Sequence, residues 1–342
     1  MSITLNRSVE LDVNNPVKSV RYTPDGSVIG CSSSDSIFRV FSDDLTLPLL
    51  NLNTGDDIYD FDFYPGFDKN MGGTRAVLIG SRNRPIRLFN VGSGQSVSSY
   101  TAYSFTEEIV HPLSIRFSPR CSTIIGGFPG STVRVWDVQT PSRQVRDIVF
   151  CTKKGHNGQK GIISAVTFRD EETFYAGSYS SSIYLHDLRN ESISIHIGAK
   201  SPSLGGVVQV ESLDENRMLS GHRQDESVYC WDIRKPDEWI FKLERRAKNF
   251  QKFEFDVYKD RYLLAGDQDG DLLIYDVVDG SQISRTSITP GISVVSVACS
   301  EGRVITGSGV RSFPKVGTVD DSSDDEMELD NYSRIAFHSI SI

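Results

Sequence analysis

Six copies of one short strand pattern, their ends 44 to 50 residues apart, constrain this chain more than any other feature. The best copy is Val133-Arg134-Val135-Trp136-Asp137-Val138. Apolar residues alternate with Arg134 and a Trp-Asp pair ends the run, the pattern of a half-buried strand. Further copies stand at 86–91 (IRLFNV), 183–188 (IYLHDL), 228–233 (VYCWDI) and 272–277 (LLIYDV), with a weaker one at 38–43 (FRVFSD). Each follows a segment ending in small residues, such as TIIGGF at 123–128, and that segment follows an alternating strand, such as PLSIRFS at 112–118. A seventh pair of this kind occupies 292–298 and 303–309.

The repeating unit is therefore three strands, a, b and c, with a variable strand d after them. Its period is that of a WD-repeat blade. One four-stranded sheet cannot bury both faces, whereas seven packed around an axis can, leaving only short edges. The expected fold is all-β, a seven-bladed WD40 β-propeller occupying residues 1–342 as one domain. Residues 2–13 (SITLNRSVELDV) form an orphan alternating strand, and 333–342 (SRIAFHSISI) return as another after an interruption. The expectation is that the N-terminal strand closes the ring by pairing in the last blade.

The interruption, 315–331, is read as a disordered acidic insertion. Asp320, Asp321, Asp324, Asp325, Glu326, Glu328 and Asp330 carry seven negative charges with no base among them, too polar to bury a core. Ser322 and Ser323 precede Asp324-Asp325-Glu326, a context that suits an acidophilic kinase. The whole chain has a formal charge of −9, and removing these seven acids leaves −2. Local patches therefore govern its partners. Five cysteines, widely spaced and without a C-x-x-C pair, suit a reducing compartment and argue against zinc. Cys31 and Cys230 fall within strand patterns and read as buried thiols. No apolar run approaches a membrane span.

No Ser–His–Asp spacing, phosphate loop or metal cluster stands out, so neither an enzyme nor a cofactor is expected. Asp267, Asp269 and Asp271 faintly resemble the start of a calcium loop but lack its later Glu, and read as a turn. Trp231-Asp232-Ile233-Arg234 matches the WD-x-R box of cullin-ligase receptors, a box common among WD repeats in general. Gly155-His156 reads either as a structural Gly-His or as part of a ligand loop.

In a WD propeller the b–c turns and d–a loops emerge on one side. The b–c turns supply Arg82, Arg84, Tyr179, Arg223 and Arg311; the d–a loops supply Lys153, Lys154, His156, Lys160, Lys200, Arg245, Arg246 and Lys248. The a–b and c–d turns, on the other side, carry acids such as Asp25, Asp170, Glu171, Asp214, Asp237 and Glu238. One basic and one acidic face are expected. The basic one, with Tyr179, Phe128 or Phe250 to stack on bases, suits single-stranded RNA.

Four stretches carry a more specific resemblance. They are Ser81-Arg82-Asn83-Arg84-Pro85-Ile86-Arg87-Leu88-Phe89; Lys153-Lys154 through Gly158-Gln159-Lys160-Gly161-Ile162-Ile163-Ser164; Leu219-Ser220-Gly221 with Cys230-Trp231-Asp232-Ile233-Arg234; and Gly307-Ser308-Gly309-Val310-Arg311-Ser312-Phe313-Pro314. In this order they resemble the telomerase Cajal body protein family, from about residue 10 to 342. The resemblance implies a nuclear scaffold that binds small nuclear RNA of the H/ACA type, acts with ribonucleoprotein core proteins, and is a monomer within a larger complex. Fungal relatives of that family are associated with spliceosomal ribonucleoproteins. A splicing-associated factor and a generic protein–protein scaffold are the alternatives.

Overall fold

The computed structural model describes residues 2–11, 15–42, 48–151, 158–190, 194–202, 204–310 and 333–341. The expected propeller is present: seven antiparallel four-stranded sheets, with no helix among the described residues. Blade 1 is Val17–Tyr22, Val28–Ser33, Ile37–Ser42 and Pro48–Asn53. Blade 2 is Ile58–Phe63, Ala76–Ser81, Ile86–Asn90 and Ser96–Tyr100. Blades 3 to 6 repeat this order, ending at Val149, Ile197, Ala247 and Ser287.

Blade 7 mixes both ends of the chain. Val294–Ser300 and Arg303–Ser308 supply strands a and b, Ser333–Ser341 is strand c, and Ser2–Leu11 is strand d. The closing pair runs antiparallel from Ser2↔Ser341 to Leu11↔Ser333, with one irregularity between Leu5 and Arg7. The closure read from the orphan strand is thus the observed one. The acidic insertion at 315–331, with Ser322 and Ser323, lies outside the described residues.

The Trp-Asp signature has a local cause. The aromatic position of strand c is buried in every clear copy: Phe41, Phe89, Trp136, His186, Trp231 and Tyr275. The residue after it turns the chain. Asp137, Asp187, Asp232 and Asp276 each accept the backbone N–H two residues on, at 2.7–2.9 Å, and Asn90 does the same. This Asx geometry stops the strand and starts the c–d turn. Asp25, Asp170 and Asp214 cap the a–b turns in the same way. Many acids on that side are therefore turn-formers first and charges second.

One element was not anticipated. Between blades 2 and 3, Ala102–Tyr103 and Ile109–Val110 form a small hairpin.

Candidate nucleic-acid interface

The inner strands line a central channel, and a recurring irregularity shapes its mouth. In five blades strand a carries one extra residue near its start: Lys18, Tyr59, Ser164, Val208 and Val295. A β-bulge re-aims a side chain. Here all five face one cavity of about 170 Å³ at the channel mouth on the b–c side. Tyr179, Arg223 and Phe250 complete its rim.

Arg223 is clamped between two aromatic rings, its guanidinium carbon 4.5 Å from the Tyr179 centroid and 5.8 Å from that of Phe250. It donates to the Phe250 carbonyl at 3.4 Å, and its Nε has no partner among the described residues. Gly205 and Gly206 permit this arrangement. A Cβ on Gly205 would lie 1.8 Å from the Arg223 carbonyl oxygen, and one on Gly206 2.8 Å from that of Tyr179. Only a bare backbone passes between the two turns. On the opposite side of the mouth Tyr59 stacks on His111 at 5.3 Å. Burial and then the nearby Arg82 push the His111 imidazole below its usual pKa, which favours the neutral ring.

Below the mouth the inner strands carry a network of charges. Asp60 accepts from Arg21 and Arg116, each at 2.8 Å, from the Ser114 hydroxyl at 2.9 Å and from the Ile115 N–H at 3.0 Å. Glu254 accepts from Lys252 at 2.7 Å, Ser19 at 2.5 Å, Arg21 at 3.1 Å and Ser296 at 3.1 Å. Burial opposes the Asp60 charge, but Arg21 and Arg116 outweigh it and hold the carboxyl well below the usual range. Burial likewise opposes the Glu254 charge, and Lys252 with Arg21 brings it down to about 2. Asp62 and Asp256 stand further along the wall. There desolvation wins, over Arg116 and the Phe117 N–H at Asp62 and over the Cys299 donors at Asp256, and both carboxyls rise to about 6. This network was missed in the sequence. Its members are spread from residue 19 to residue 296, and no local pattern links them.

The residues predicted for the basic face separate into distinct groups. Arg82 and Arg84 flank Asn83, whose φ of 53° makes the tight b–c turn of blade 2. Both are exposed, and among the described residues neither forms an ion pair. Lys160 is also exposed and free of an acid among those residues, beside the b–c turn of blade 4. Arg246 and Lys248 are exposed but engaged, with Asp269 at 2.8 Å and Glu226 at 2.9 Å. Arg285 joins the same acidic sector through Asp271 at 2.5 Å and Asp267 at 3.2 Å. Lys153, Lys154, His156 and Arg311 lie outside the described residues.

Three expectations need correction. Arg245 belongs to the last strand of blade 5, Trp239–Ala247, and is 1% exposed. The alternation of that strand turns it inward, against Phe253, so it offers no charge to a phosphate. Phe128 is fully buried and lies between Trp136 and the Arg134 guanidinium, where no base can reach it. Lys200 and Asp237, assigned to opposite faces, are ion-paired at 2.5 Å. The end of strand d in blade 4 runs against the c–d turn of blade 5, as the 2.6 Å bond from the Gly198 N–H to the Pro236 carbonyl shows.

Other motifs resolve into structure. Gln159, 1% exposed, bonds His186 at 3.2 Å and the Ala176 carbonyl at 2.7 Å, filling the interior of blade 4. In blade 5 the Trp231 indole donates to Ser220, which meets His222 at 2.9 Å. Arg234 folds back onto Asp232 at 2.7 Å. Asp267 accepts the N–H groups of Asp269 and Asp271, making the expected turn. Among the described residues no cluster of three or more His, Cys, Asp or Glu is arranged for a metal ion, and no helix is long and apolar enough to cross a membrane. Cys31 and Cys230 are buried thiols, as expected.

Blade count, signature and closure together define a WD-repeat β-propeller. Its relatives are more particular. The chain is 28% identical to telomerase Cajal body protein 1 of Mus musculus over 340 residues, 92% of this chain and 63% of the mouse protein. It is 30% identical to the Homo sapiens protein of that name, over 88% of this chain and 58% of the human one. The Drosophila melanogaster homologue is 23% identical over 65% of this chain and 40% of its own length. The resemblance carried by the four stretches thus extends along nearly the whole chain, which spans less than two thirds of these relatives. No protein-family model matches it.

Proposed function

We propose that this chain is a non-catalytic, RNA-binding WD-repeat scaffold that helps a small nuclear ribonucleoprotein assemble or reach its place in the nucleus. One observation carries the proposal: Arg82, Arg84 and Lys160 are exposed, without acidic partners among the described residues, on the side where Arg223, Tyr179, Tyr59 and Phe250 surround the channel mouth. Unneutralised cations beside accessible rings are what an unpaired RNA strand requires. The mammalian relatives, named for telomerase and the Cajal body, support a ribonucleoprotein setting. Lys153 and Lys154 add charge to the same loop as Lys160 in sequence and belong to the proposed surface.

The test is charge reversal. Arg82→Glu with Arg84→Glu and Lys160→Glu is expected to weaken binding of a single-stranded RNA at least tenfold. The log–log salt slope should fall by about 0.7 for each phosphate that no longer meets a cation. Lys235→Glu with Lys259→Glu, exposed on the other side, is expected to change little. Equal loss in both variants, or none in either, rejects this surface. Crosslinking followed by RNA sequencing on the tagged protein identifies the client.

A further inference from the structure

We infer that the channel mouth is a single-base pocket: it receives one unpaired nucleobase from the RNA while the strand's phosphates lie on Arg82, Arg84 and Lys160. This rests on the RNA-binding reading of that side and adds where, and how deep, the RNA is held. Three observations carry it.

The first is size and depth. The cavity measures about 170 Å³, room for one flat heterocycle but not for a base pair. Glu254 belongs to its lining and bonds Arg21, which with Arg116 bonds Asp60.

The second is the wall. Tyr59 and the Tyr179–Arg223–Phe250 clamp supply flat surfaces on two sides. Phe250 is 57% exposed, so its ring is open to a ligand at the rim of the mouth. Base–aromatic stacking gains from such a ring whatever the base, because every base has a π-face.

The third is polarity. Lys18 and Asp57, hydrogen-bonded to each other, line the mouth and present a donor and an acceptor to a base edge. The unpartnered Arg223 Nε–H adds a donor. A duplex, whose base edges are paired and stacked, cannot use these groups.

The experiment uses the full chain and a twelve-nucleotide uridine RNA carrying one central 2-aminopurine, with an abasic version and a blunt duplex as comparators. Binding is read by anisotropy and base stacking by 2-aminopurine emission. The expected result is quenching on binding, about tenfold weaker binding of the abasic strand, and about tenfold loss for Tyr59→Ala and for Phe250→Ala. The duplex is expected to be insensitive to both. Phe250 is exposed, so its variant tests the pocket without touching the core. If Arg82→Glu/Arg84→Glu weakens the single strand while the abasic site and both aromatic variants do nothing, the pocket is refuted and the cationic surface stands. If the strand fails to bind, or binds with no sensitivity to Arg82 and Arg84, the RNA reading itself is refuted and the pocket with it.

Discussion

At the scale of single residues, the channel wall holds carboxylates of two opposite kinds. Asp60 is charged because two guanidiniums and two further donors surround it. Its contribution to stability is fully present above the unfolded carboxylate pKa and is lost as pH falls below it. Removing one partner of a buried pair typically costs about 3–5 kcal/mol, because the other charge stays buried and uncompensated. Asp60→Ala is therefore expected to destabilise the protein by about that amount at pH 7, measured by urea unfolding. Asp62 works in the other direction. Its folded pKa of about 6 lies above the unfolded value, so the folded state binds more protons between roughly pH 4 and 6. Stability from this group falls as pH rises through that window. Asp62→Asn, which can still accept the Phe117 N–H, is expected to raise the urea midpoint at pH 7, with the gain disappearing towards pH 4. A variant whose gain is the same at both pH values would contradict this account of Asp62.

At the scale of elements, the critical piece is the closing strand. Ser2–Leu11 gives Ser333–Ser341 its outer neighbour, and Val9 and Leu11 pack against the core shared by blades 7 and 1. A ring without this strand exposes a long unpaired edge in blade 7. Deleting residues 2–11 is expected to lower the thermal midpoint and promote association between rings, read by light scattering; a truncated protein of unchanged midpoint would show that closure comes from elsewhere. The five bulges of strand a work at the same scale. Each shifts the register by one residue, and together they turn five side chains towards one mouth. In sequence they are invisible, because a bulge lies in the mismatch between two strands and not in either strand alone.

At the scale of the whole molecule, charge count and available charge differ. Exposed cations on the b–c side are of two sorts: Arg246 and Lys248, neutralised by Asp269 and Glu226, and Arg82, Arg84 and Lys160, without acidic partners among the described residues. Arg246→Glu with Lys248→Glu is accordingly expected to weaken RNA binding severalfold less than Arg82→Glu with Arg84→Glu, compared at one low salt concentration. Equal losses would mean that the RNA spans both sectors. We propose that the seven acids between 320 and 330 compete with RNA for the same cations. Their deletion is expected to raise affinity at low salt, with the difference fading as salt screens it.

The sequence by itself determined the blade. Period, alternation and the Asp that ends strand c are local, since each acts through its own strand and the turn two residues on. It also determined the ring closure, because an orphan strand at one end and a missing strand at the other admit one pairing. Arg82 and Arg84 were legible for the same reason: a two-sided turn leaves them nowhere but outside. What only the tertiary structure decided was which charges meet. Arg245 was read as loop but lies within the strand Trp239–Ala247, whose alternation turns it inward. Phe128 was drawn into the packing around Trp136, and Lys200 found Asp237 across a blade boundary. The Asp60 network joins five blades through contacts up to 276 residues apart, as in the bond between Ser296 and Val20. A repeat pattern describes the interior of each blade; the channel is built from the one face that every blade turns towards the others, and only their assembly sets its chemistry.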